Sequence, residues 1–204
     1  MRQPLPLFPP LYAPLGWWQL LTEELLGGSS RSEAVKRANM RSGIPSRDWL
    51  RFSLAGDSGL SLPLKGGASS LKNHPPQSWV AAKESGRESR KIAATVATIY
   101  GRAPFYAPLA HLVRPFPGLS AGNCDPTGIK ISDICTFYYE ETAEMLNLND
   151  ANLLQTLRKA INEQDKIIKS EKHRLSEKTD PSLSILDAVM RFGPDAIFTL
   201  LPTF

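Results

Sequence analysis

The chain has 204 residues, enough to bury the core of one ordinary domain, and its 24 Lys and Arg against 20 Asp and Glu leave a net charge of +4. The charges are interspersed, so the basic excess favours phosphate-bearing ligands only mildly and otherwise describes a mixed surface. Two cysteines, Cys124 and Cys135, are too few for a disulfide framework or a Cys-based zinc site, and no stretch reaches the about 20 apolar residues that cross a bilayer.

In chain order, residues 5–14 alternate apolar side chains with prolines, which predicts an extended entry segment. The opening MRQPLPLFPP carries four prolines where a signal peptide needs a helical apolar run, so a reducing cytoplasm is the expected location. Leu15, Trp18, Leu21 and Leu25 recur at helical steps until Gly27 and Gly28 stop them, predicting a helix over 15–26. Residues 29–43 are polar and basic. Alternating apolar residues in 49–55 and 59–65, flanking Gly56-Asp57-Ser58-Gly59, predict a β-hairpin with Leu60, Leu62 and Leu64 on one face. A Gly/Ser/Asn/Pro loop is expected over 66–77, then a short strand or helical turn over 79–83.

Ile92, Val96, Ile99 and Tyr100 form an apolar stripe that predicts a helix over 84–102, with Pro104 ending it and restarting a shorter one through Leu112. Residues 114–128 read as a Pro/Gly loop. A helix over 131–148 follows, with Cys135 in its core, and Asn149-Asp150 is placed to cap the next one from Ala151. The many charges of 159–180 predict a solvated arm. Finally, PSLSILDAVMRFGPDAIFTLL compresses an apolar helix, a Gly-Pro break and a second short apolar helix.

Five blocks, in order, resemble the WbqC-like proteins, a bacterial family named from a polysaccharide (O-antigen) gene cluster. They are Leu5-Pro6-Leu7-Phe8-Pro9-Pro10; Lys36-Arg37-Ala38-Asn39-Met40-Arg41 through Ile44; Ser61-Leu62-Pro63-Leu64; Thr98-Ile99-Tyr100-Gly101-Arg102-Ala103-Pro104-Phe105-Tyr106; and the C-terminal Ser-Ile-Leu-Asp with Gly-Pro-Asp-Ala. The chain departs from that pattern where typical members carry His-Trp before the tyrosine, since Ile92 and Ala93 stand there, and it lacks the residue that often precedes the family's opening prolines; Gln3 is near but offset. The resemblance implies a role linked to surface-polysaccharide or sugar modification.

Three constellations are candidates for chemistry. Arg31, Lys36, Arg37 and Arg41, with Asn39 between, supply planar donors suited to phosphate or carboxylate; a solvated basic helix is the plainer reading. Asp187, in the apolar run Ile185-Leu186-Asp187-Ala188-Val189, needs a hydrogen-bonding partner or a raised pKa suited to proton transfer; fixing a backbone amide or an arginine is the plainer reading. Tyr100 and Arg102, with Phe105 and Tyr106, can stack on a sugar or base ring, although aromatic residues at a helix junction usually pack. His74, His111 and His173 lack metal-ligand spacing, and Gly66-Gly67-Ala68-Ser69-Ser70 lacks the order of a phosphate loop.

Together these observations predict a single α+β domain over 1–204, mainly helical, with a small antiparallel sheet from the hairpin and the entry segment as a candidate further strand. The expected function is group transfer to an activated or amino sugar, with Asp187 and Tyr100 catalytic and Lys36, Asn39, Arg41 and Arg102 holding a phosphorylated or nucleotide-linked sugar. No metal or cofactor is called for, and nucleic acid is the weaker partner. The alternative is a noncatalytic binding or assembly protein on the same scaffold. The two readings separate on whether Asn39, Arg41, Tyr100 and Asp187 converge on one concave pocket.

Overall fold

Prolines keep residues 5–13 from forming a helix, so this segment finds its hydrogen-bond partners far away in the chain. Leu11 N–H donates to the Trp49 carbonyl at 2.9 Å, and the Asn39 side-chain amide donates to the carbonyls of Pro6 at 2.9 Å and Phe8 at 3.2 Å. The structure, a computed structural model, describes residues 5–119 and 128–202; Gln3, Cys124 and the middle of the expected 114–128 loop lie outside the described residues.

Helix α1, Leu15–Leu26, starts directly after Pro14 and stops at Gly27, as the spacing predicts. Both Trp17 and Trp18 are buried, and Trp18 stacks on Tyr139 with ring centroids 5.3 Å apart. The polar stretch forms α2, Arg31–Arg41, which seats Ala34, Val35, Ala38 and Asn39 against α1 and leaves its charges outside.

The hairpin is present, two residues tighter than expected. Strands β1, Arg51–Leu54, and β2, Asp57–Ser61, are antiparallel, and Leu54 faces Asp57, so Ala55-Gly56 alone forms the loop. Phe52 pairs with Leu60 while Ser53 pairs with Ser58, which leaves Gly59 as an extra residue at φ +96°: a glycine bulge where a turn residue was expected. The alternation beyond it holds, since Leu60, Leu62 and Leu64 are all buried. The entry segment adds no strand to this sheet; it makes one bridge, Pro14 to Ser184.

Within the expected 66–77 loop lies a short helix α3, Ala68–Asn73, and residues 80–81 are extended, bridging Lys130 and Leu64. Helix α4, Ser85–Tyr100, buries Ile92, Val96 and Tyr100. After Pro104 comes α5, Tyr106–Leu109, continued by a 3-10 turn to Val113. Helix α6, Ile131–Met145, carries Cys135 in the core, where burial pushes the thiol far up from its ordinary pKa.

Residues 159–180 are, Leu175 apart, exposed or half-buried, and this charged segment is helical and docked at its far end. Helix α7, Ala151–Asn162, is capped by the Asp150 carboxylate, and α8, Lys166–Ser176, by that of Asp165. Leu175 on α8 is fully buried, and Lys172 donates to the Pro202 carbonyl and, at 2.5 Å, to that of Leu201. One leucine and one lysine thus pin an otherwise charged helix to the end of the described chain. Ser184 caps α9, Ile185–Phe192, and Gly193-Pro194 turns the chain into α10, Ile197–Leu200, giving the expected order of C-terminal elements. The result is a mainly helical α+β fold with a two-stranded antiparallel sheet.

Residues 181–185 thread between the two ends of this architecture. Leu15 N–H and Gly16 N–H donate to the carbonyls of Leu183 and Pro181, Ile185 N–H donates to Ala13, and Ser184 N–H donates to Ser53 on β1. Entry segment, hairpin and C-terminal block are therefore held together by backbone hydrogen bonds at one place.

Candidate functional site

Of the six residues singled out from the sequence, Tyr100 and Asp187 meet. The Tyr100 hydroxyl donates to Asp187 Oδ1 at 2.7 Å and accepts from Ala55 N–H at 3.2 Å. Arg191, one turn further along α9, places Nη2 3.1 Å from the same carboxylate oxygen. Burial pushes the phenol pKa up and the hydrogen bond to Asp187 pushes it further, so Tyr100 stays a neutral donor. Asp187 is 2% exposed, and its carboxylate ties the hairpin turn, α4 and α9 together.

Asn39 and Arg41 lie elsewhere, on α2. The Asn39 amide group is used at both ends: its nitrogen holds the entry segment, and its oxygen accepts from Trp17 Nε1 at 2.9 Å. Arg41 forks onto two carboxylates of α1, Glu24 and Glu23, each at 2.8 Å, and Arg37 bridges Glu24 at 3.2 Å and Glu33 at 2.9 Å. At Glu24, desolvation works to raise the pKa, but hydrogen bonds from Arg41, Arg37 and Ser29 outweigh it and hold the carboxyl below its ordinary range. A phosphate at Arg41 would have to displace Glu23 and Glu24. Arg31 is likewise engaged, lying 4.8 Å from the Tyr139 ring centroid and paired with Glu140. Lys36 and Arg102 are exposed, on α2 and after α4. Asn39 and Arg41 on α2 thus stand apart from the Tyr100–Asp187 pair, and none of the six lines the clefts described next.

Concavity lies instead beside the hairpin. One cleft of about 400 Å³ opens where entry segment, β1 and C-terminal block meet; Pro10, Pro14, Ile44, Pro45 and Phe52 give it apolar walls, and Ser53, Ser182 and Ser184 give it polar ones. A second cavity of about 740 Å³ is lined by Arg47, Ser61 and Gly67 and by Leu50, Leu62 and Leu64. Asp48, Arg51 and Gly59 belong to both.

The bulge explains where the guanidinium between them lies. A Cβ at Gly59 would meet Arg51 Nη2 at 2.7 Å, Nε at 3.2 Å and Cζ at 3.3 Å, so the guanidinium rests on the bare backbone of β2, a place only glycine leaves open. Next to it Asp48 keeps a carboxylate 3.6 Å from Arg47. The shared wall carries the Arg51 guanidinium and the Asp48 carboxylate, and Arg47 adds a second guanidinium on the larger side, a balance suited to an anion with hydroxyls attached. The sequence carried signals for this site: Arg47, Asp48 and Arg51 cluster before the hairpin, and an isolated glycine inside a strand pattern marks a bulge or a close approach.

Among the described residues no three His, Cys, Asp or Glu side chains are grouped as metal ligands, and no helix is long and apolar enough to cross a membrane. Compared with protein-family models, curated proteins and solved structures, the chain matches none.

Proposed function

We propose that this chain is a WbqC-like protein of surface-polysaccharide biosynthesis that binds a phosphorylated or nucleotide-linked sugar in the cleft beside its hairpin. The observation that carries the ligand class is the Arg51 guanidinium, laid on Gly59 at the shared wall of two cavities, with Arg47 and Asp48 beside it. Group transfer to that sugar is the reading for its activity, and Asp48 is the carboxylate in position to take a proton there. Calorimetric titration with sugar 1-phosphates and nucleotide sugars tests the ligand: binding that Arg51→Gln weakens at least tenfold, with an unchanged melting temperature, is the expected result. Absence of binding by every phosphorylated sugar tried would sink it.

A second reading, a noncatalytic binding or assembly protein, is favoured by the separation of Asn39 and Arg41 from Tyr100 and Asp187 and by the way that second pair is engaged. The polar atoms of Tyr100 and Asp187 are partnered with each other, Ala55 and Arg191. Complementation separates the two: in a source strain lacking this chain, Asp48→Asn restores the surface polysaccharide if the protein only binds, and fails to restore it if the protein transfers a group.

A further inference from the structure

We infer that the cleft takes a diphosphate carrying an organic group on each side, with the diphosphate on the shared Arg51 wall and one group in each cavity. This rests on the phosphosugar reading above and narrows it, because a sugar monophosphate would fill one side only. Two cavities of about 400 and 740 Å³ meet along Asp48, Arg51 and Gly59, so a ligand that spans both must cross that wall. What crosses it faces a guanidinium for which Gly59 leaves room, and Arg47 lies on the larger side. Planar, forked donors match phosphate oxygens, and Arg51 is the guanidinium that both cavities share, so a phosphate bridge with a substituent on each side is what it can hold while both cavities are filled.

The two sides differ in chemistry. The smaller is walled by the rings of Pro10, Pro14, Pro45 and Phe52, flat apolar surfaces suited to the face of a base or to an isoprenoid chain, with the Ser53 hydroxyl at its edge. The larger offers Ser61, Arg47 and the Asp48 carboxylate, groups that exchange hydrogen bonds with the hydroxyls of a sugar. Asp48 repels the diphosphate itself, and its pairing with Arg47 at 3.6 Å offsets that repulsion.

The test titrates the full chain with UDP-N-acetylglucosamine, dTDP-glucose, geranyl-diphospho-N-acetylglucosamine, N-acetylglucosamine 1-phosphate and inorganic pyrophosphate. The expected result is that a diphosphate with an organic group on each side binds at least tenfold tighter than pyrophosphate or the monophosphate; a nucleotide sugar as the tight ligand identifies a base in the smaller cavity, the geranyl-linked sugar an isoprenoid. Ser61→Trp, at an exposed strand position, should fill the larger cavity and abolish a nucleotide sugar's advantage while leaving pyrophosphate binding unchanged. Ile44→Trp should do the same from the smaller side, and circular dichroism confirms that each variant is folded. Equal affinity for N-acetylglucosamine 1-phosphate and the nucleotide sugars, or a nucleotide sugar indifferent to Ser61→Trp, overturns the two-sided ligand but leaves a phosphosugar protein standing; no binding by any probe removes both.

Discussion

At the scale of single residues, polar side chains that read as chemistry turn out to be connectors. Tyr100→Phe removes the donor of a 2.7 Å hydrogen bond to a buried carboxylate, and leaving such a group short of a partner costs about 1–3 kcal/mol. Urea denaturation should show that loss, together with unchanged ligand binding; intact stability with lost binding would return Tyr100 to a functional role. Glu24 gives a pH-dependent counterpart. Its carboxyl is held low in the folded chain, so the stability it contributes is fully present above the ordinary glutamate value of about 4.3 and is lost as pH falls through the folded value. Melting curves should show Glu24→Gln below wild type at neutral pH and level with it once the pH has fallen below the folded pKa of Glu24, where both side chains are uncharged. A gap that persists in acid would mean that packing, not charge, holds α1 to α2.

At the scale of elements, four of the five blocks that resemble one family touch in two pairs. Asn39 fastens the first block to the second, and Tyr100 and Phe105 fasten the fourth to the fifth. A Cβ at Gly193, where φ is +57°, would lie 2.5–2.8 Å from the Phe105 ring, so Gly193→Ala should destabilise through both strain and overlap. Leu186, fully buried on α9, should cost about 2–5 kcal/mol on truncation to alanine, measured by chemical denaturation; a loss below about 1 would show that α9 is not a core element. Much of this level was legible in the sequence. Apolar periodicity located α1, α4, α6 and α9, and alternation located the hairpin. The misreadings have physical causes. Gly66-Gly67 hid the short α3 behind residues that break helices, and a single buried leucine on α8 is too sparse an apolar signal to offset the charge around it.

At the scale of the molecule, the charged cluster Arg47, Asp48 and Arg51 and the strand glycine were local signals, but the assembled site was not legible, because the walls of its smaller cleft come from residues 10–14, 44–53, 59 and 182–184, which no local pattern relates. The basic helix α2 stands out by charge density, yet Arg37 and Arg41 are spent on Glu23, Glu24 and Glu33 and Arg31 on Glu140, while Arg51 has no such density around it. Asn39→Ala should free the entry segment and expose residues 5–13 to protease in the otherwise folded protein; resistance equal to wild type would show that the Trp49 contacts suffice. The backbone hydrogen bonds between residues 13–16 and 181–185 also set a clock on synthesis. At about 5–20 residues per second, the ribosome delivers the second partner roughly 10–30 seconds after the first. Throughout that interval α1 lacks the strand-like brace at its start, and although α2 covers Trp17 early through Asn39, the Trp18 ring waits for Tyr139. The cleft, walled by the last partner to appear, becomes competent only after nearly the whole described chain has emerged, and a nascent chain has no site with which to sequester ligand.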